Sequence, residues 1–334
     1  MAVADLTDGD ETLVREERSL WAESFIRLRR NKVAMASGIF LLILCIMAIL
    51  ADVVSPFTYE EQDLVSNNAI PAWMLVIMPP GAEGYARISD KYPLGADSLG
   101  RDILSRTIHG TRVSLMVAFV AAAVSLVFGT IYGMVSGYLG GRVDDFMMRL
   151  VDFLYAFPVL IVVILLQTYF KALARRGSEG LGGVLVGINE TMGGLFFLFI
   201  AIGLLNWLGL ARIARGQVLS YKRKEFVEAA HAVGASGSRI VRKHLFPNIL
   251  GPLIVYETLQ IPGYIFLEAF LSFIGLGVDA PTPSWGIMIS EAANGIRTYP
   301  TQVLIPAIAL SLTVLAFNFL GDGLRDAFDP RMKE

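Results

Sequence analysis

Six long apolar runs, an uneven distribution of lysine and arginine, and one basic island between the fourth and fifth runs predict an all-α integral membrane protein. The expectation is six transmembrane helices with both termini cytoplasmic. Of 334 residues, 54% are hydrophobic and 17% charged, far more apolar than a soluble domain. A formal net charge of −2 gives no reason to expect a nucleic-acid partner. With one cysteine, Cys45, neither a disulfide framework nor a thiolate metal site is expected, and three scattered histidines (His109, His231, His244) argue against zinc.

Along the chain, segment 1–32 opens with an acidic stretch, 1–12, expected to lack structure. Trp21, Phe25 and Leu28 then recur at helical spacing beside Arg27, Arg29, Arg30 and Lys32. That pattern fits an amphipathic helix lying in the lipid headgroup plane; a polar tail with incidental aromatics is the alternative. The first span, 33–51 (Val33–Ala51), is free of charge and long enough for roughly 28 Å of hydrocarbon. It outruns the apolar part of a cleaved signal and is followed by Asp52, so it reads as a retained anchor. In the external segment 52–112, Pro71, Pro79-Pro80 and Gly81 predict an irregular cap. Further spans are expected at Val113–Gly137, Val151–Phe170, Gly194–Ala211, Ile249–Leu276 and Val303–Gly321. Residues 113–321 thus form a five-helix core, followed by a cytoplasmic tail, 322–334. With the amino terminus inside, the inner segments hold 19 of the 28 Lys and Arg residues, which fixes the expected orientation.

The island 212–248 reads as a compact knob. Its helix places Ala229, Ala230 and Val233 near one face, with Phe226 one turn earlier. Small residues let a partner surface approach, Phe226 can fill a hole in it, and Glu228 can pair with a basic group. Gly234 supplies a turn that other residues resist, and Gly237 a second bend. Ser238–Phe246 reads as a short second helix ending at Pro247. An amphipathic surface helix between two spans explains the isolated pattern equally well. Arg212 and Arg215 open the island as snorkelling anchors or as contacts to a partner.

The order Glu225, Phe226, Glu228, Ala229, Ala230, Gly234, Ile240, Pro247 resembles the EAA loop of ABC importer permeases. The likeness extends to Pro93–Asp102 with Ser105-Arg106, and to Gly137-Tyr138 through Gly140-Gly141, Asp144, Arg149 and Asp152. It continues through Ala269–Gly277, Pro281–Gly286, Leu312–Asn318 and Gly321–Asp326. Over about residues 20–332 the chain resembles the C-type subunit of the dipeptide/oligopeptide/nickel permease group. It departs at Ala96, where the family usually has threonine, and at Lys171–Gly194, which is expanded.

That resemblance implies a type I ABC importer permease fold, with the eight EAA-loop residues coupling to ATPases. It implies a second, homologous permease subunit (a heterodimer), two ABC ATPases, an extracytoplasmic solute-binding protein and membrane lipid as partners. The setting is a bacterial or archaeal cytoplasmic (inner) membrane, and peptides are the expected solute. Nickel chelates, glutathione or another small solute fit the same frame. No catalytic, metal or cofactor-binding residue is expected on this chain, with ATP and Mg on the partner ATPases. Accordingly there is no Gly-x-x-x-x-Gly-Lys-Ser/Thr loop, and Gly-Lys never occurs.

Two features lie within the spans. Glu257 and Glu268 are eleven residues apart, within about 20° of one helical stripe that Gln260 and Tyr264 share. Carboxyls in an apolar span avoid lipid, so the stripe faces a wet pathway or a polar helix neighbour. Pro252 and Pro262-Gly263 bend the helix and favour the second reading. A self-sufficient proton-coupled carrier using the two glutamates is the alternative from another class, and the basic island argues against it. Gly129, Gly133 and Gly137, four residues apart, predict close helix packing within the subunit or across the permease pair.

Overall fold

A computed structural model describes residues 20–76, 81, 87–176 and 180–328 of the chain. The acidic stretch 1–12, Pro79-Pro80 and the side chain of Trp21 lie outside that description. Helices α1 (Leu20–Arg30) and α2 (Lys32–Ile49) meet at Asn31, whose side chain accepts the Ala34 N–H at 3.1 Å and starts α2. Phe25 is exposed, and Leu28 approaches Gly323 of the last helix. A short α3 (Ala51–Val54) leads into the external segment.

Among the described residues, that segment holds the only strands. Strands β1 (Ile70–Pro71) and β2 (Ile88–Ser89) pair in parallel, so the all-α expectation is corrected in this small respect. The segment has a small core of Ala69, Tyr92 and Ala96, with Phe57 set edge-on to Tyr92 at 5.1 Å.

Helix α4 (Ile103–Leu139) begins ten residues before the expected span. The extra turns carry Ser105, Arg106, His109 and Thr111, which look like loop in sequence yet are buried. They are helical because Asp102 caps the start, accepting the Ser105 N–H at 2.8 Å, and because each polar side chain finds a partner. The third apolar run is broken into α5 (Gly141–Tyr155) and α6 (Val159–Arg176), bent by 76°. Pro158 sits in the break, where it lacks an N–H and pushes the preceding residue out of helical geometry.

The expanded stretch after α6 contains a helix of its own, α7 (Leu181–Thr191). Helix α8 (Leu195–Tyr221) continues ten residues past the expected Ala211. The knob helix α9 (Glu225–Ala232) follows, then α10 (Gly237–Ile240), a π turn at Val241–Leu245, and α11 (Phe246–Phe273). Helices α12 (Trp285–Ala292) and α13 (Pro300–Phe328) complete the chain.

Among the described residues, five helical segments are long and apolar enough to cross a membrane, and a sixth if the bent α5–α6 pair is one span. The centre of the bundle is α4 against α8. A Cβ on Gly129 would meet Leu210 Cβ and the Trp207 carbonyl at 2.8 Å, and one on Gly137 would meet the Arg215 carbonyl at 3.0 Å. Between them, Gly133 abuts the Ala211 carbonyl. The three glycines thus seat α8 directly on the α4 backbone, inside the subunit.

Candidate functional site

The knob is built on α9. Lys224 precedes it in extended conformation, and Glu225 and Glu228 occupy its first turn, where carboxylates offset the partial positive charge of the helix start. The helix ends in a Schellman turn. The Ala235 N–H bonds to the Ala230 carbonyl at 3.0 Å and the Gly234 N–H to the His231 carbonyl at 2.9 Å. Gly234 adopts φ +83°, the left-handed geometry that glycine tolerates best.

Exposure divides the EAA-like residues into two sets. Glu225, Phe226, Glu228, Ala229, Gly234 and Pro247 are exposed, Ala230 is half-buried, and Val233 stands 89% exposed. Ile240 is fully buried and joins Val227, Leu245 and Ile249 in a cluster with Leu210, Ala214 and Val218 of α8. Ile240 therefore lies under the knob and not on its surface. Val227, unremarked in sequence, shares that role; its only signal is an aliphatic residue among exposed neighbours. Burying such a side chain contributes about 1.5–3 kcal/mol, which ties the knob firmly to α8.

Two expectations about the second half are corrected. Ser238–Phe246 is not a separate short helix, and Pro247 does not end one. Pro247 sits in the first turn of α11, where its missing N–H costs nothing, and the helix runs on into the fifth span. Gly237 starts α10 rather than bending the chain, and its bare Cα admits the Tyr138 hydroxyl, 2.6 Å from where a Cβ would stand.

The arginines that open the island have partners on α5. Arg215 grips Asp144 with Nε and a terminal nitrogen, both at 2.6 Å, while Ser136 donates to the same carboxylate. Arg212 donates to Asp152 at 2.7 Å and lies over the Tyr155 ring at 4.4 Å. Lys222 donates to the Tyr138 carbonyl at 2.6 Å. The ends of α4, α5 and α8 are thereby clamped where the knob begins. The sequence offered Asp144 and Asp152 only as part of a matching string; their partners are separated from them by 71 and 60 residues.

In the fifth span Glu257 and Glu268 are both buried. Glu257 accepts from Ser125 at 3.0 Å and from Tyr264 at 2.8 Å. Glu268 accepts from Ser114 at 2.9 Å and Ser272 at 2.7 Å. Each carboxyl is thus turned into the α4–α11 contact, and Gln260 alone of the stripe is partly exposed.

At the other end of α4, Arg101 and Arg106 share Asp97 and Glu291. Arg101 bonds to them at 2.6 and 2.9 Å and Arg106 at 2.5 and 2.9 Å. This compensated cluster pins α12 to the start of α4 and was invisible in the sequence, since Glu291 is 190 residues from Arg101. Nearby, the exposed Asp52 carboxylate accepts from Arg112 at 2.8 Å and meets His109 at 3.1 Å. The Arg112 hydrogen bond, then that from His109, holds it below the usual carboxylate range.

The profile of the binding-protein-dependent transport system inner membrane component matches residues 125–334, and that of the N-terminal transmembrane domain of oligopeptide transport permease C matches residues 19–72. The chain is 44% identical to the oligopeptide transport system permease protein OppC of Escherichia coli K12, over 98% of this chain and 96% of that one. It is 43% identical to the Haemophilus influenzae OppC, over 98% and 94%. Identity to the Bacillus subtilis dipeptide transport system permease protein DppC is 40%, over 97% and 89%. The chain therefore belongs to the inner-membrane components of binding-protein-dependent transport, and among them to the C-type oligopeptide and dipeptide permease subunits.

Proposed function

We propose that this chain is the C-type permease subunit of an ATP-driven peptide importer in a bacterial cytoplasmic membrane. In this reading it has six spans of the type I importer permease, counting α5–α6 as one, with both termini cytoplasmic. It pairs with a different, homologous permease subunit, receives solute from an extracytoplasmic binding protein, and is driven by two ATPases that carry ATP and Mg. Peptides are favoured as solute because the relatives are named for oligopeptides and dipeptides.

The observation that carries the coupling assignment is the build of the knob. Phe226, Glu228 and Val233 face outward, while Val227 and Ile240 root them in α8 and α11. A partner that moves Phe226 and Glu228 must therefore move the spans. With ATP bound the ATPases close, the knob is displaced, and the attached helices alternate the opening of the pathway. Coupling is then the difference in knob–ATPase contact between two states.

The test uses the complex reconstituted in liposomes with its binding protein. Phe226→Ala combined with Glu228→Arg is expected to leave the complex assembled in the membrane and to abolish ATP-dependent peptide uptake. Undiminished uptake by that variant would remove the coupling assignment. The proton-carrier alternative is disfavoured by Glu257 and Glu268, whose oxygens are occupied by hydroxyl donors inside a helix contact.

A further inference from the structure

At the end of the bundle away from the knob, α6, α7, the start of α8 and the turn after α11 border an open cavity of about 90 Å³. Gln167, Lys171, Arg175, Asn189, Phe197 and Asp279 line it. Its chemistry is unbalanced toward donors. Gln167 is 1% exposed, and its Nε2 amide has no hydrogen-bond partner although it borders the cavity. A buried N–H without an acceptor is costly enough to ask what completes it. Asn189, also buried and lining the cavity, commits its Oδ1 to the Phe197 N–H at 3.1 Å, so its remaining polar capacity is that of a donor.

The charges lean the same way. Lys171 Nζ is held by Asp279 at 3.1 Å and by the Gly275 carbonyl at 3.3 Å. Arg175 has no ion-pair partner among the described residues. Two cations thus face one carboxylate, which Lys171 already occupies. Asp279 is fixed in turn against bare backbone, since a Cβ on Gly194 would stand 2.7 Å from its Oδ2. Phe197, stacked on Phe170 at 4.5 Å, supplies a rigid apolar wall.

Water can satisfy the amide, and solvent screens the exposed Arg175 guanidinium. A group with several acceptor oxygens and a negative charge engages both donors at once, through charge-assisted hydrogen bonds. The volume exceeds the roughly 10–15 Å³ that one water needs and suits a head group of a few atoms, not a peptide. We infer that this cavity is a binding site for a carboxylate or phosphate oxyanion, contacted by Gln167 Nε2 and Arg175 and oriented by the fixed Lys171. Lys171, Arg175 and Asn189 of its lining belong to the stretch that is expanded relative to the family pattern, and the site is independent of the coupling knob. The oxyanion comes either from a phospholipid headgroup of the adjacent leaflet or from solution.

The experiment measures thermal unfolding of the full chain, co-purified with its partner subunits, in nanodiscs. In one arm the lipid is phosphatidylcholine, and inorganic phosphate is titrated against chloride of matched ionic strength. In the other, phosphatidylglycerol replaces part of the phosphatidylcholine and phosphate is absent. A raised midpoint in the first arm identifies a soluble anion, and in the second a lipid headgroup. Gln167→Leu and Arg175→Gln should each abolish the lipid increment or raise the half-saturating phosphate concentration about tenfold, the loss of one charge-assisted contact. Gln167→Glu, which places a carboxylate in the cavity, should raise the basal midpoint and remove the response. No response of the unaltered chain in either arm, or an equal response in Arg175→Gln, whose exposed position should not disturb folding, overturns the inference.

Discussion

Two serines on α4 and two glutamates on α11 repeat at the same interval, and the antiparallel helices join them as Ser114–Glu268 and Ser125–Glu257. The glutamates and their common stripe were legible from period alone. The serines were not, because a hydroxyl in an apolar helix has many readings until its acceptor is known. We predict that Ser125→Ala lowers stability by about 1–3 kcal/mol in detergent unfolding, since Glu257 then keeps one hydroxyl donor inside the contact. A variant as stable as the parent would mean that water reaches this carboxyl.

Asp52 gives the pH counterpart. Its folded carboxyl lies below the ordinary range through the Arg112 hydrogen bond first and His109 second, so its contribution is present above the unfolded value of about 4. That contribution is lost as pH falls toward the folded value. Unfolding of Asp52→Asn should therefore depend less on pH than the parent between about pH 5 and 3. Parallel pH profiles would remove Arg112 and His109 as the cause.

Elements were read well where apolar period and length sufficed, and badly at their polar ends. The sequence stopped the second and fourth spans at the first polar residues, but α4 and α8 run past them: Arg106, Arg112, Arg212 and Arg215 pair with groups far along the chain, while Ser105 and Thr111 bond within their own turn. The glycine series in α4 was visible as spacing; that its neighbour is α8 of the same subunit was not. Gly133→Val should destabilise by about 1–3 kcal/mol or prevent folding, because the atoms nearest an added Cβ are the Ala211 carbonyl, Ala214 Cβ and the Arg215 backbone nitrogen, none of them the end of a flexible side chain that could give way. Gly234 offers a cleaner probe, with nothing within 4 Å of an added Cβ. Gly234→Val meets strain only through its positive φ, about 1–2 kcal/mol, and should impair uptake in reconstituted complexes more than membrane insertion. Equal loss of both would make the turn a folding determinant and not a coupling one.

For the whole molecule, the clamp of Arg215 on Asp144 joins three helix ends at the root of the knob. Arg215→Met should loosen that joint by about 1–3 kcal/mol, toward the lower end because the arginine is about one-third exposed. Asp144→Asn in the same background should restore part of the loss, which a double-mutant cycle measures. Additive losses would show that the two side chains are not coupled.

The sequence by itself determined the membrane class, the approximate spans, the knob and the family pattern, because hydrophobic length, glycine turns and local motif order are properties of neighbouring residues. Tertiary structure alone decided which motif residues are surface and which are root, as with Ile240 and Val227. It also decided where Arg212, Arg215, Glu257 and Glu268 find their partners. Those outcomes depend on contacts between residues tens to hundreds of positions apart, and the free energy of burying a polar or apolar group is set by the partner it meets rather than by its neighbours in the chain.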